Sequence, residues 1–379
     1  MKRNQCWLIL LALAFFLPSC NNQELALESA GPPALIPAES EQQTANRLEV
    51  REISLSPELE DRQEWIVMDT RGDQVLFAVQ EKQAAQEETH SYCLTREIGI
   101  YDVEQSCVTA RWEPEIPGWY QAGAMTGEGT ACVAGAKDYE HVYPSEYVLV
   151  LLDQDQEALP AISGAVLELR ALEDGTAIFS FAEPEGRFGV RTISGGKVTD
   201  LLTWQAGGRT EPLGGGELSV CGSEFSYAYA DDGRCVLVRA NRAGELERQS
   251  LVPGKEKLDS CYLTREGMVA CLSIDEDTDQ FHRELTLLSS REDAQRRSGG
   301  DGALYRMRFG EEYGLAVDSQ FRLYLLRLED GAVTCTAAPL PEELQERSGG
   351  AVDLYTAGDD VFYLFDSRER KLYRVSATG

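Results

Sequence analysis

The chain has 379 residues, of which 43% are hydrophobic, enough to bury a sizeable core and to exclude wholesale disorder. Sixty-four acidic residues stand against 35 basic ones, a net charge of −29. Such a surface repels phosphate backbones and anionic headgroups, so nucleic-acid binding and direct adsorption to an anionic membrane are excluded as expectations.

In chain order, the first element is an export signal. Lys2 and Arg3 precede twelve uninterrupted apolar residues, Cys6 through Leu17. A run of that length suits a signal-peptide core and is too short to span a bilayer. It ends in Leu17-Pro18-Ser19-Cys20. This segment resembles the lipobox of bacterial lipoproteins. The resemblance implies that residues 1–19 are removed and that the Cys20 thiol carries a diacylglycerol. Several acyl chains together hold a protein stably at a membrane, since each buried methylene contributes about 0.8 kcal/mol.

Residues 20–46 form the second segment, the lipidated N-terminus and a linker. From position 21 it is rich in Glu, Gln, Ala, Ser and Pro and has no aromatic residue. That composition predicts a disordered tether. A coil of this length spans roughly 25–30 Å root-mean-square, which lifts a folded head clear of a membrane surface.

From Arg47 onward short runs of β-branched, aromatic and leucine residues alternate with Gly, Asp and Asn clusters. One unit recurs, and its third strand is the clearest part. Anchored on Tyr101, Val150, Val190, Val238, Leu287, Leu325 and Tyr373, that strand returns every 38 to 49 residues. A period near 45 is the size of one four-stranded propeller blade. Turns such as Thr70-Arg71-Gly72-Asp73, Glu173-Asp174-Gly175-Thr176 and Asp231-Asp232-Gly233 fall between strand-like runs, where Gly supplies positive φ and Asp caps its own turn. The last unit shows only three strands, and residues 47–54 form an isolated strand before the first unit. The expectation is therefore an all-β domain over 47–379, a seven-bladed β-propeller closed by its N-terminal strand. Six or eight blades, or a pair of sandwiches, are the alternatives.

Few residues carry recognisable chemistry. The three histidines, His90, His141 and His282, fall in three different units, and no hydrolase elbow, zinc-protease pair or phosphate-cradling glycine loop is present. No catalytic residue and no cofactor is assigned. Asp275, Asp277 and Asp279 imitate the opening of a calcium loop. Gln280 and Thr286 stand where an EF-hand needs Gly and Glu, so a solvated loop is the leading reading and these three are the only candidate metal ligands. Among the eight cysteines after Cys20, the pair best placed for a disulfide is Cys261 with Cys271, on adjacent strands around one turn. Arg71-Gly72-Asp73 spells an adhesion tripeptide but sits where a hairpin turn is expected. Trp119-Tyr120 is the one aromatic pair singled out as a carbohydrate platform.

The repeat units end in hairpins such as Leu323-Tyr324 through Gly331 and Leu372-Tyr373 through Gly379. With the lipobox and the polar tether, they resemble the extracytoplasmic β-propeller lipoproteins of bacteria. That resemblance implies a cell-envelope location, anchored by lipid and facing away from the cytoplasm. The functional expectation is a binding module for a protein, peptide or glycan. The alternative is a glycan- or peptide-acting hydrolase or lyase that uses channel carboxylates.

Overall fold

The middle strands of the repeat read as continuous apolar runs, such as Val75 through Val79, because both of their faces are buried. Val75, Phe77 and Val79 pack in one cluster with Tyr363, Phe365 and Leu372. Leu76 and Ala78, one residue out of phase, pack in another with Tyr120, Val133 and Val150. A strand with period-two side chains and two buried faces has no polar face to alternate with.

The computed structural model describes residues 48–377, apart from 56–58, 60–61, 84–91, 138–145, 154, 161, 208–209, 213–217, 233, 252–255, 266, 276–280, 289–303, 311, 319–322, 330–331, 339–351 and 359. The described residues form antiparallel sheets, each built on a meander of consecutive strands, to which short or distant strands are added in three of them. The first meander is β2 (Gln63–Arg71), β3 (Gln74–Gln83), β4 (Tyr92–Asp102) and β5 (Cys107–Trp112). The second is β6 (Trp119–Gly127), β7 (Thr130–Ala136) and β8 (Glu146–Leu152), with β9 (Gln156–Ala158) and β10 (Ile162–Ser163) both on the outer side of β8. The third is β11 (Ala165–Ala171), β12 (Ala177–Ala182), β13 (Arg187–Ser194) and β14 (Lys197–Gln205). The fourth opens with two short strands, β15 (Glu211–Pro212) and β16 (Leu218–Cys221). Both pair with β17 (Glu224–Asp231), and β18 (Arg234–Asn241) and β19 (Gly244–Leu251) follow.

The next sheet is β20 (Glu256–Thr264), β21 (Gly267–Asp275) and β22 (Phe281–Leu288). After it come β23 (Leu304–Phe309), β24 (Tyr313–Asp318), β25 (Leu323–Glu329) and β26 (Ala332–Ala338). The last meander has β27 (Val352–Gly358), β28 (Val361–Asp366) and β29 (Lys371–Ala377). Its fourth strand is β1 (Leu48–Ile53), antiparallel to β29 with Leu48 opposite Ala377 and Ile53 opposite Leu372.

The first strands of these sheets neighbour one another in sequence order: β2 lies against β6, β6 against β11, β11 against β16, β16 against β20, β20 against β23 and β23 against β27. The last of them, β27, lies against β2. The sheets thus stand face to face around an axis, which is a β-propeller. Apolar clusters fill the seams, for example Cys132, Leu149 and Phe179 in one, and Phe188, Phe225, Tyr227 and Val238 in another. Each fully buried Phe, Leu or Val contributes roughly 1.5–3 kcal/mol, so the seams carry most of the stability.

The hairpins joining first and second strands interlock near the axis. The Gly72 amide donates to the Ala357 carbonyl at 2.9 Å, and the Glu173 amide to the Gly222 carbonyl at 2.9 Å. Gly175 has φ +81°, and a Cβ there would stand 2.0 Å from the Thr126 carbonyl oxygen of the neighbouring sheet; Gly72 has φ +56° and open space around it. Both alanine substitutions meet the left-handed backbone cost of about 1–2 kcal/mol, but only Gly175→Ala also forces two sheets apart, adding roughly 1–3 kcal/mol. Denaturant unfolding is expected to show Gly175→Ala as clearly the more destabilised; equal losses would mean that Thr126 does not approach so closely.

Candidate functional site

The inner strands share an irregularity that shapes the channel wall. Register slips by one residue between Val67 and Asp69, Tyr120 and Ala122, Val166 and Glu168, Leu258 and Ser260, and Leu304 and Arg306. Such bulges re-aim the side chains that follow them. Three of the residues after a bulge are charged, and each reaches the inner strand of the next sheet. Asp69 Oδ2 accepts from the Met125 amide at 2.7 Å. Glu168 Oε2 accepts from the Leu218 amide at 2.6 Å. Arg306 Nε lies 3.5 Å from Asp353 Oδ1.

Much of this polarity is structural. An inner strand has one edge that no neighbouring strand pairs, and its backbone groups need partners. Asp69 and Glu168 supply two. Ser219 Oγ accepts from the Leu263 amide at 3.0 Å, Tyr355 donates its hydroxyl to the Val67 carbonyl at 2.8 Å, and Thr70 Oγ1 donates to the Thr356 carbonyl at 3.1 Å.

Three arginines stand on the same wall. Arg170 donates from Nη1 to its neighbour's carbonyl at Leu169 and from Nη2 to Glu168 at 3.1 Å. Arg306 and Asp353 form a pair that is about two-fifths exposed on both sides, which contributes little stability. Arg308 donates from Nη1 to the Met307 carbonyl at 2.8 Å, and its Nε and Nη2 make no hydrogen bond or ion pair among the described residues. By contrast, Arg191, on an interior strand of the third sheet, is paired with two carboxylates. It stacks 3.7 Å above the Phe181 ring and binds Glu183 at 2.5 Å and Asp200 at 2.7 Å. Hydrogen bonds from Arg187 and Arg191 hold the Glu183 carboxyl below its ordinary range.

The channel groups feel one another. Burial pushes the Asp69 carboxyl up to about 6, while the Met125 amide and the charges of Arg170 and Arg71 pull it down. Asp69 is half-buried, so protein surrounds its carboxyl without closing it off completely. Burial, and then the charge of Asp353, drives the Tyr355 hydroxyl well above its usual range, opposed by Arg308 and Arg306.

The other residues singled out in the sequence fare differently. Cys20, His90, His141, Asp277 and Asp279 lie outside the described residues, as do the side chains of Asp275 and His282. The Cys261–Cys271 bridge is not formed. Cys261 is a free, buried thiol opposite Ala270, whereas Cys271 stands opposite Ser260, and the pleat assigns those two positions to opposite faces. Burial pushes the Cys261 thiol up to about 12, and the Cys132 thiol likewise, so neither is a thiolate at neutral pH. The Trp119-Tyr120 platform also gives way: Tyr120 is a core residue whose hydroxyl donates to the Ile116 carbonyl at 3.0 Å.

Arg71-Gly72-Asp73 is built into the fold. Arg71 donates to the Met125 and Glu173 carbonyls at 3.2 and 2.9 Å, and Asp73 pairs with Arg374 at 3.3 Å. A shallow groove of about 400 Å³ runs along the rim between the first and second sheets, lined by Gln74, Asp102, Gln105, Arg111, Glu128 and Asp153 among others.

Sequence reasoning missed the channel set. Its signal is a pair of polar residues two apart on the first strand of a unit: Asp69 and Arg71, Glu168 and Arg170, Arg306 and Arg308, Asp353 and Tyr355. Spacing of two keeps both members on one face of a strand.

No family model matches the sequence, and no curated protein matches it. Solved structures resemble the fold. The WD40 domain of Toxoplasma gondii coronin is 8% identical, with a TM-score of 0.54 over 88% of this chain and 87% of that one. The N-terminal domain of Nup159 is 10% identical, with a TM-score of 0.49 over 93% of this chain and 100% of that one. A prolyl endopeptidase is 12% identical, with a TM-score of 0.46; the match covers 81% of this chain but spans only 53% of the peptidase. At these identities the coronin likeness shows the propeller fold and nothing finer.

Asp69 makes a prediction with a definite sign. Its folded value of about 6 lies above the ordinary 3.8, so the neutral form is the one the fold favours. Its contribution to stability is present below pH 4 and is lost as pH rises through 6. Asp69→Asn keeps an oxygen for the Met125 amide and carries no charge. Urea unfolding from pH 4 to 8 is expected to show the variant gaining on the wild type as pH rises. A constant difference across that range would contradict the buried carboxyl.

Proposed function

We propose that the chain is an envelope lipoprotein, held at a membrane through lipidated Cys20 and the 20–46 tether, whose head is a non-catalytic binding module for a protein, peptide or glycan. In this reading each of the seven sheets is one blade, and β1 closes the ring by completing the blade of β27, β28 and β29. The β1–β29 pairing and the cyclic order of the inner strands support that closure. The acidic surface argues against nucleic acid as the partner.

The observation that carries the binding reading is Arg308, with Arg170 and Arg306, on inner strands fixed by bulges and by bonds to neighbouring sheets. Polar groups held on rigid strands need little reorganisation to receive a ligand. A hydrolase or lyase remains the second reading, favoured by one feature: an Asp69 carboxyl near 6 suits a general acid.

Growth with an alkyne-bearing fatty acid is expected to label the wild-type chain and leave Cys20→Ala unlabelled, with the variant released from the membrane fraction. A labelled Cys20→Ala chain, or an unlabelled wild type, would overturn the anchor. In-cell cross-linking is expected to trap one discrete partner that the Arg170→Gln, Arg308→Gln double variant loses. Partner capture unaffected by the double variant would move the binding surface away from the channel.

A further inference from the structure

The groove between the first and second sheets, about 400 Å³, lies away from the channel. Its volume is at the lower end of the range for ligand clefts, roughly 300–1,000 Å³. Hydrogen bonds between the two sheets fix its walls. The Trp112 indole donates to the Asp153 carbonyl at 2.8 Å, and the Gly129 amide donates to the Gln74 side-chain oxygen at 3.2 Å. A third bond runs from Gln156 Nε2 to the Glu113 carbonyl at 2.7 Å. Walls held in this way need little reorganisation to receive a partner.

The lining defines that partner first by charge. Asp102, Glu128 and Asp153 line the groove against one cation, Arg111, whose Nη1 lies 3.4 Å from Glu97 Oε2. Both oxygens of Asp102 are occupied by Gln105, from its amide at 2.8 Å and its side chain at 3.1 Å. The carboxylates of Glu128 and Asp153 are exposed and make no hydrogen bond or ion pair among the described residues. Among those residues no three acidic, histidine or cysteine side chains are placed to hold a metal ion, so the complementary cation is an ammonium or a guanidinium.

The backbone of the lining supplies the second constraint. Thr109 through Trp112 are consecutive residues of β5, and all of them line the groove. β5 is the last strand of its sheet, and among the described residues its outer edge pairs with no strand. The register passes from Tyr101 opposite Val108 to Ile100 opposite Ala110, which leaves Thr109 outside the ladder. An unpaired edge accepts an extended segment as a further strand. Edge and free carboxylates together fit a basic peptide better than a free polyamine, which has no peptide backbone to pair.

We propose that this groove docks an extended, basic peptide segment of a partner protein, its backbone along β5 and a lysine or arginine side chain at Glu128 and Asp153. The net charge of −29 draws such a segment in at long range.

The test is isothermal titration of the full-length chain in detergent with a short blocked peptide of alternating valine and lysine, and separately with spermidine, at fixed low ionic strength. Saturable binding of the peptide is expected, tighter than that of spermidine. The double variant Glu128→Gln, Asp153→Asn is expected to bind the peptide roughly threefold to tenfold more weakly, as the loss of two exposed ion pairs requires. Each single variant repeats the test should the double variant fold poorly. Glu185→Gln with Glu245→Gln removes two carboxylates from the third and fourth sheets and is expected to leave binding unchanged. No saturable binding of the peptide, spermidine binding as tightly, or equal losses in the groove and control variants would overturn the proposal. The channel arginines take no part in this titration, so its failure and the failure of the channel reading are separate results.

Discussion

A four-stranded meander with apolar residues on both faces cannot shelter them alone. Val75, Phe77 and Val79 need one neighbour and Leu76 and Ala78 need another, and the same is true of Ile178 and Phe179 two sheets further on. Stacking in a row would always leave two end faces wet. Stacking around an axis leaves none, and it is the contact of β27 with β2 that spares the first and last sheets that exposure.

Around the axis the same geometry creates a different problem. The inner strands approach one another too obliquely to pair as a sheet, so their free edges must find side-chain partners. The bulges answer this by turning Asp69 and Glu168 toward the next strand's amides. A wall that must be polar for its own backbone is also a wall on which charge can be placed for a ligand. Charges on these sheets differ in how they are paired: Arg191 is engaged by Phe181, Glu183 and Asp200, whereas Arg308 among the described residues is hydrogen-bonded only to its own strand.

The repeat was legible because burial on both faces writes an uninterrupted apolar run. Each third strand expected from Tyr101, Val150, Val190, Val238, Leu287, Leu325 and Tyr373 lies in a strand: β4, β8, β13, β18, β22, β25 or β29. The isolated N-terminal strand was legible as well, and its pairing with β29 is seen in the register. The channel was not legible, because a charge on an inner strand looks like any solvated charge until the bulge before it is known. The Cys261–Cys271 bridge failed because of the turn. Spacing around it suggested neighbours, but the hairpin that pairs Thr264 with Gly267 sets Cys261 opposite Ala270, one position short of Cys271, so the two fall on opposite faces. The Arg71-Gly72-Asp73 turn was rightly read as turn chemistry, although its role in tying its own sheet to three others could be seen only in three dimensions.

The proposed ring depends on the two ends of the folded region meeting in one sheet, since an unclosed stack would leave its end faces exposed. Glu49 and Ser376 are direct cross-strand partners, 327 positions apart in sequence. The most direct measurement is oxidation of the paired variant Glu49→Cys, Ser376→Cys, followed by mass spectrometry of the cross-linked peptides and thermal unfolding. Closure is expected to give an intramolecular disulfide between these two positions and a raised unfolding temperature. Exclusively intermolecular bridges, or two thiols that stay reduced under conditions that oxidise a positive control, would contradict it.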